Sequence, residues 1–438
     1  MRKVLGIVAS ALVALFISAC QTNVYYPNEL DRFESLTAPS TVLLIYGVAH
    51  NNLASAIQSN LNTLAGNKLP APGSDQVVLS FCNFSESDYN WRQETPSHLI
   101  RYSLFEGKVR RDTVMTVEAG RMASDPELMK EVLEYVRNRY KADRYGLILS
   151  SHGSGWLPVG YVQSEENARH MRFHEFGAET GTSTSSLAPV RRIRTLGGPA
   201  TKTFGADYYG IWNQTQKDAD VYEMSIPRLA GALGSGWDFI VFDACFMGAV
   251  EVAYELKHCA KVLCISAAEV ISQGFNYRNM ADLIFRRDLH PEDICLSFYN
   301  LYKGQPGASQ TATIACVQTA GLDGLADTCK ELISKYRSAL DAADTDAIQL
   351  YSRGGSKWFY DLQDIFNHIG ISQQDSLRLQ SSLDACISYK AATPKILDEI
   401  TVRHFCGLSM FLPAINDNVL SGYYRQLAWN KYVNLVEE

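Results

Sequence analysis

Tyr145-Gly-Leu-Ile-Leu-Ser-Ser-His152-Gly-Ser-Gly-Trp156 is a short apolar run that stops at a histidine. Further along, Trp237-Asp-Phe-Ile-Val-Phe-Asp-Ala-Cys245-Phe-Met-Gly248 repeats the pattern with a cysteine in that place. Continuous apolar runs of this length, bounded by Gly and Ser, read as strands buried on both faces, the kind found in parallel sheets covered by helices. In such sheets, side chains just past the carboxyl ends of the strands converge on one crevice. A His and a Cys delivered there can form an imidazole and thiolate pair, and that pair suffices for acyl transfer at a carbonyl carbon.

Working outward, Thr41-Val-Leu-Leu-Ile-Tyr46 reads as a first strand, and Asn51-Asn52-Leu53 reads as the start of a helix with Asn as its cap. Val77–Cys82 reads as a second strand. Asp125-Pro126-Glu127 is an N-cap and first-turn signal, followed by apolar Leu128, Val132, Leu133 and Val136 at helical spacing. Strand, helix, strand, helix, strand predicts a largely parallel sheet with helices on both faces. Residues 163–216 change character, rich in Gly, Ser, Thr and Arg, and read as a long insert loop. Beyond it, Ser225–Leu233 and Ala249–Leu256 read as helices and Val262–Ala267 as a strand. Residues 39–320 thus form one domain. Residues 321–438 read as a mainly helical second subdomain with a late strand at Gly407–Pro413.

The first twenty residues are of another kind: Arg2 and Lys3, an apolar stretch from Val4 to Ile17, then Ser18-Ala19-Cys20. This is the plan of a secretory signal over residues 1–19. Ile-Ser-Ala-Cys20 resembles a bacterial lipobox, which implies lipidation of Cys20 and a membrane anchor through that lipid. Gln21 in place of Asp points to an outer-membrane lipoprotein facing the periplasm or the cell surface, with residues 20–38 as a tether. The alternative is a soluble secreted chain cut nearby.

Apolar and charged residues make up 46% and 20% of the chain and the net charge is −7. That is an ordinary globular balance, and without a long basic run it argues against nucleic acid as a partner. The nine cysteines after Cys20 lack a Cys-x-x-Cys pair, and the histidines lack partners at ligand spacing, so no metal site is expected. Cys264 and Cys316 read as small buried hydrophobes.

The flanks of both reactive residues resemble the clostripain family of cysteine peptidases, relatives of caspases, legumain and gingipains. The matching strings are Leu149–Trp156, Phe242–Gly248 with Val250–Leu256, Thr41–Tyr46 with Asn51–Leu53, Asp361-Leu-Gln-Asp364-Ile-Phe366, and Gly407–Pro413. The resemblance implies a caspase-like α/β/α sandwich and peptide-bond cleavage by a dyad of His152 and Cys245. It also implies an oxyanion hole from the Gly153 and Cys245 amides, peptide or protein substrates, a monomer and no required cofactor. Gly153 suits this chemically, because the absence of a Cβ admits a carbonyl oxygen close to the backbone. Asp361 with Asp364 offers carboxylates of the kind that bind calcium in some relatives, although a helix surface is the simpler reading.

Asp243, two residues before Cys245 and so on the same strand face, matches the family position that pairs with substrate Arg or Lys. The alternative is a carboxylate that merely satisfies donors at the strand end. The chain departs from the family in the loop Ala268-Glu269-Val-Ile-Ser-Gln-Gly274-Phe275, which is shorter and lacks a second pocket acid. Arg191, Arg192, Arg194 and Lys202 in the insert are candidate self-cleavage positions, since relatives mature by cleavage between His and Cys. A second function stays open at this point: an inactive surface lipoprotein that keeps the fold as a binding module.

Overall fold

The computed structural model describes residues 39–66, 68–92, 94–161, 171–175, 205–212, 217–354, 356–413 and 418–437. The chain order begins with β1 (Thr41–Ala49), α1 (Ala54–Ala65), β2 (Gln76–Phe84) and a hairpin of β3 (Ser97–Phe105) and β4 (Lys108–Val117). Helix α2 (Pro126–Arg139) leads into β5 (Arg144–Ser150), the strand that delivers His152. Next come β6 (Met171–Glu175), β7 (Asp207–Trp212), β8 (Lys217–Glu223) and α3 (Ile226–Leu233). Strand β9 (Trp237–Asp243) delivers Cys245 and is followed by α4 (Val250–Glu255), β10 (Ala260–Ile265), α5 (Tyr277–Ile284), α6 (Pro291–Tyr302) and β11 (Thr313–Gln318). The remainder holds α7 (Leu322–Lys335), α8 (Arg337–Asp341), β12 (Tyr360–Asp361), α9 (Leu362–His368), α10 (Gln373–Cys386) and β13 (Ile387–Ala392). It closes with β14 (Lys395–Ile396), β15 (Ile400–Thr401), β16 (Ser409–Met410), α11 (Asn418–Tyr424) and α12 (Ala428–Val433).

The apolar runs become the middle of a nine-stranded sheet in the order β13-β11-β10-β9-β5-β1-β2-β3-β4. The inner strands β10, β9, β5, β1 and β2 are parallel. An antiparallel pair flanks them at each end. Strand β1 is buried at every position, as its unbroken apolar sequence requires. Each fully buried Leu, Ile or Val of these strands contributes roughly 1.5–3 kcal/mol of transfer free energy. Helix α1 packs with α5, and α5 with α6. A second group chains α2 to α3, α3 to α4, α4 to α12, α12 to α7 and α7 to α10. This is the α/β/α sandwich anticipated from the strand and helix order.

Local signals translate unevenly. Asp125 caps α2 as read, its side chain accepting the Glu127 amide at 3.0 Å. Helix α1 instead starts at Ala54 without a side-chain cap. Asn51 closes its own turn by accepting the Leu53 amide and spends its Nδ2 on the Val48 and Ala206 carbonyls. The late strand is short: Ser409 and Met410 pair with Asp361 and Tyr360, and Ser409 also bridges to Ala249.

Four features lie outside the reading from sequence. The β3–β4 hairpin extends one end of the sheet, and its outer strand exposes Lys108, Arg110 and Arg111. At the other end β13 pairs with β11, so the C-terminal stretch supplies a strand to the central sheet. Ser40–Glu438 packs as one compact unit. The stretch 163–216, read as a loop, contains β6 and β7, which join β8 in a small sheet of order β6-β8-β7. These strands form because they pair with β8, a tertiary reason that short segments without a clear period do not display.

Candidate active site

Strands β5 and β9 are parallel neighbours in which Ser150 sits opposite Asp243. His152 and Cys245 therefore leave the sheet at the same offset, two residues past matched positions. The turns that follow pack backbone against backbone. A Cβ on Gly153 would lie 2.3 Å from the Cys245 carbonyl oxygen and 2.9 Å from its amide nitrogen. Glycine is thus demanded at 153 by close approach.

Cys245 is held in a turn rather than at a helix start. Phe246 takes a positive φ of 58°, its amide donates to Ala268 O at 3.0 Å, and the Gly248 amide donates to Ser266 O at 2.6 Å. Helix α4 begins only at Val250. The N–H that reaches the sulfur comes instead from the segment after β10: Val270 N–H donates to Cys245 Sγ at 3.2 Å, and the thiol donates back to Val270 O at 3.5 Å.

His152 has a partner that the sequence did not single out. Its Nε2 lies 2.6 Å from Asn52 Oδ1. An amide oxygen accepts, so the imidazole donates its Nε2–H to Asn52. No local signal marks this pairing, since the two residues lie 100 apart in the chain.

Both reactive residues are closed off, with His152 3% exposed and Cys245 0%. The Tyr208 ring of β7 lies nearly parallel to the imidazole, with centroids 5.9 Å apart and 16° between planes. Strand β7 is pinned to the ends of β1 and β2 by polar contacts. Tyr208 N–H donates to His50 O at 2.8 Å, and His50 Nδ1 meets Tyr208 O at 2.7 Å. Asp207 is buried, and it accepts Asn83 Nδ2 at 2.6 Å and both the amide and hydroxyl of Ser124 at 2.7 Å. Burial raises the Asp207 pKa, and the hydrogen bonds from Ser124 and Asn83 oppose that rise. Glu223, at the end of β8, accepts the Gly160 amide at 2.9 Å and is pushed up to about 7 by burial.

Asp243, two residues before Cys245, is fully buried and accepts Ser150 Oγ and Tyr277 OH, each at 3.0 Å. Gly274, at φ +65°, backs the carboxylate so closely that a Cβ there would lie 2.6 Å from both oxygens. The shortened loop does carry one acid, Glu269, but Arg353 takes it in a two-pronged contact at 2.5 and 2.9 Å and also bonds Glu399 at 2.9 Å.

Asp361 and Asp364 are not a helix surface. Asp361 is buried, caps α9 through the Asp364 amide, and accepts Tyr351 OH and the Cys406 amide, while Asp364 accepts the Gln349 amide. Both carboxylates are engaged in holding the chain, which leaves calcium no support there. Cys20, Arg191, Arg192, Arg194 and Lys202 lie outside the described residues. No helix among the described residues is long and apolar enough to cross a membrane.

The model of the Clostripain family matches residues 46–189 and 212–434. Clostripain of Hathewaya histolytica is 22% identical over 284 residues, covering 59% of this chain and 46% of that relative's length. The fold is similar to an inactive zymogen C11 protease from Parabacteroides distasonis, with a TM-score of 0.67, 23% identity, and coverage of 91% of this chain and 99% of that one. It is equally similar to a secreted C11 cysteine protease from Bacteroides thetaiotaomicron, solved with an irreversible peptide inhibitor, at a TM-score of 0.67, 20% identity and coverage of 90% and 99%.

Proposed function

The chain belongs to the clostripain family, and from that premise we propose that it is a cysteine endopeptidase with Cys245 as nucleophile and His152 as general base and acid. The observation that carries this reading is the contact between the two turns, with Gly153 seated on the Cys245 backbone. His152 takes the thiol proton at Nδ1 while Asn52 holds Nε2–H, and the thiolate attacks the substrate carbonyl. The Gly153 and Cys245 amides receive the oxyanion, and His152 returns the proton to the leaving amine. Water then hydrolyses the acyl-enzyme.

Asp243 supplies the single negative charge of the specificity pocket and favours Arg or Lys before the scissile bond. With Glu269 neutralised by Arg353, that preference is weaker than two acids would give. Cleavage at Arg191, Arg192, Arg194 or Lys202 would cut the connection between β6 and β7 and release the cover over His152. Lipidation of Cys20, after removal of residues 1–19, anchors the enzyme to the outer membrane through the 20–38 tether.

A fluorogenic peptide library with varied residues before the cleavage site tests the activity. Turnover of Arg or Lys substrates by the wild type and none by Cys245→Ala is the expected result. No turnover and no Cys245-dependent labelling by a thiol-reactive peptidyl inhibitor, even after limited proteolysis of the insert, would falsify the peptidase reading. On gels, an intact Cys245→Ala chain beside a nicked wild type marks self-cleavage. Fatty-acid labelling that persists in Cys20→Ala excludes that anchor.

A further inference from the structure

Cys264, Cys295 and Cys316 are far apart in sequence, yet the fold gathers them. Cys264 on β10 and Cys316 on β11 are direct partners across the antiparallel pair, and Cys295 reaches them from α6. Their three sulfurs lie within 4.8 Å of one another, and all three residues are fully buried. Apolar packing alone asks for no such apposition of sulfur to sulfur. We propose that this cluster is a three-thiolate site for a soft monovalent cation, Cu(I).

The choice of ion follows from the donor set. Structural zinc is almost always four-coordinate. Among the described residues no fourth His, Cys, Asp or Glu completes the group, and full burial leaves no place for a water ligand. Thiolates select Cu(I), zinc and iron–sulfur clusters. With zinc sites four-coordinate and iron–sulfur clusters held by four cysteines, a shell of three sulfurs is left to Cu(I), a d10 ion without a strong geometric demand. Trigonal bonds of about 2.3 Å place sulfurs about 4.0 Å apart, so the cluster needs only small rotamer adjustments. Binding replaces thiol protons by the metal and releases them to solvent, including the proton that Cys264 shares with Pro291 O at 3.8 Å. The ion would tie together β10, β11 and α6. Strand β10 runs on into the Ala268–Val270 segment that touches Cys245.

The test uses the full chain with Cys20→Ser and Cys245→Ser, reduced and anaerobic, so that neither of those thiols competes. Cu(I) held by bicinchoninate is titrated with this protein, both folded and during refolding. The expected result is withdrawal of one Cu(I) per chain, with three sulfurs around copper by X-ray absorption. Cys295→Ala or Cys316→Ala added to that background is expected to weaken binding by at least about 100-fold, taking the loss of a direct ligand to exceed the 10–100-fold that follows loss of a hydrogen-bond partner behind a ligand. Absence of withdrawal overturns the proposal, as does a copper shell with fewer than three sulfurs. Equal binding by Cys295→Ala and Cys316→Ala variants that keep the parent circular dichroism also overturns it, and so does tighter binding of Zn(II) in a parallel titration. If either variant fails to fold, the sulfur count on the parent protein decides alone.

Discussion

The bed of the active site and its cover are built by different physics. The bed is the pair β5 and β9, apolar strands locked in register, whose end turns meet backbone to backbone at Gly153 and Cys245. The cover is β7 of the small sheet, held over His152 by polar side chains from distant parts of the chain: His50, Asn51, Asn83 and Ser124. Apolar burial is non-directional and tolerant, whereas a buried carboxylate such as Asp207 is stable only while its partners remain. A bed of the first kind suits permanent geometry, and a cover of the second kind suits release.

The sharpest break in the bed is chemical. Cys245→Ala or His152→Ala is expected to lower kcat/KM by at least about 10^4-fold in hydrolysis of a fluorogenic peptide, as the proposed dyad would act as a unit. Gly153→Ala comes next. Its methyl group must displace the Cys245 carbonyl, and a misplacement on the order of 1 Å costs about 100-fold in kcat. A nearly unchanged melting temperature would separate this from unfolding. Asn52→Ala leaves the imidazole unoriented and should reduce kcat by about 10–100-fold with little change in KM.

Changes in the cover are expected to act in the opposite direction. Tyr208→Ala removes the ring on His152, and Asp207→Ala leaves Asn83 and Ser124 without their acceptor, at a cost of about 1–3 kcal/mol to the closed arrangement. Labelling of Cys245 in the uncleaved chain by an irreversible peptidyl inhibitor should accelerate by about tenfold, the factor corresponding to 1.4 kcal/mol. Labelling no faster than wild type would erase the distinction between bed and cover.

The bed and the cover were unequally legible. His152, Cys245 and their strands could be read because a parallel strand buried on both faces must be apolar, and an apolar run announces its own end. Asn52 could not be read as the partner of His152, because that hydrogen bond joins residues 100 apart. The cover strands were read as loop for a related reason. Asp207–Trp212 has no apolar period of its own and becomes a strand only against β8. Arg353 on Glu269 likewise depends on a contact across 84 residues. The same limit hid the three thiols on β10, α6 and β11, since spacing rules for metal ligands see only local neighbours.

The smallest expected effect concerns pH. Glu223 at the edge of the cover and Glu251 under the bed are both raised from 4.5 to about 7, chiefly by burial. Glu251 accepts the Phe411 amide at 2.8 Å and Tyr424 OH at 2.7 Å. The native state therefore binds more protons than the unfolded chain between those values. The stabilisation is fully present below about pH 4.5 and is lost as pH rises through about 7. Melting temperatures should fall by on the order of a few °C across that window. Glu251→Gln should flatten its share of the slope, and an unchanged slope would remove Glu251 from the account.

The outer strand of the β3–β4 hairpin has a colloidal consequence. A sheet edge offers unpaired amides and carbonyls to any other strand, and growth by edge-to-edge addition is the usual route to fibres. Along β4, Lys108, Arg110 and Arg111 are exposed, and although Arg110 pairs with Asp112 at 2.8 Å, the strand keeps a net positive charge. Two such edges repel, most strongly in dilute salt and less once the screening length shrinks to about 10 Å near 0.1 M. The charge of the last strand thus disfavours further growth of the nine-stranded sheet at that end.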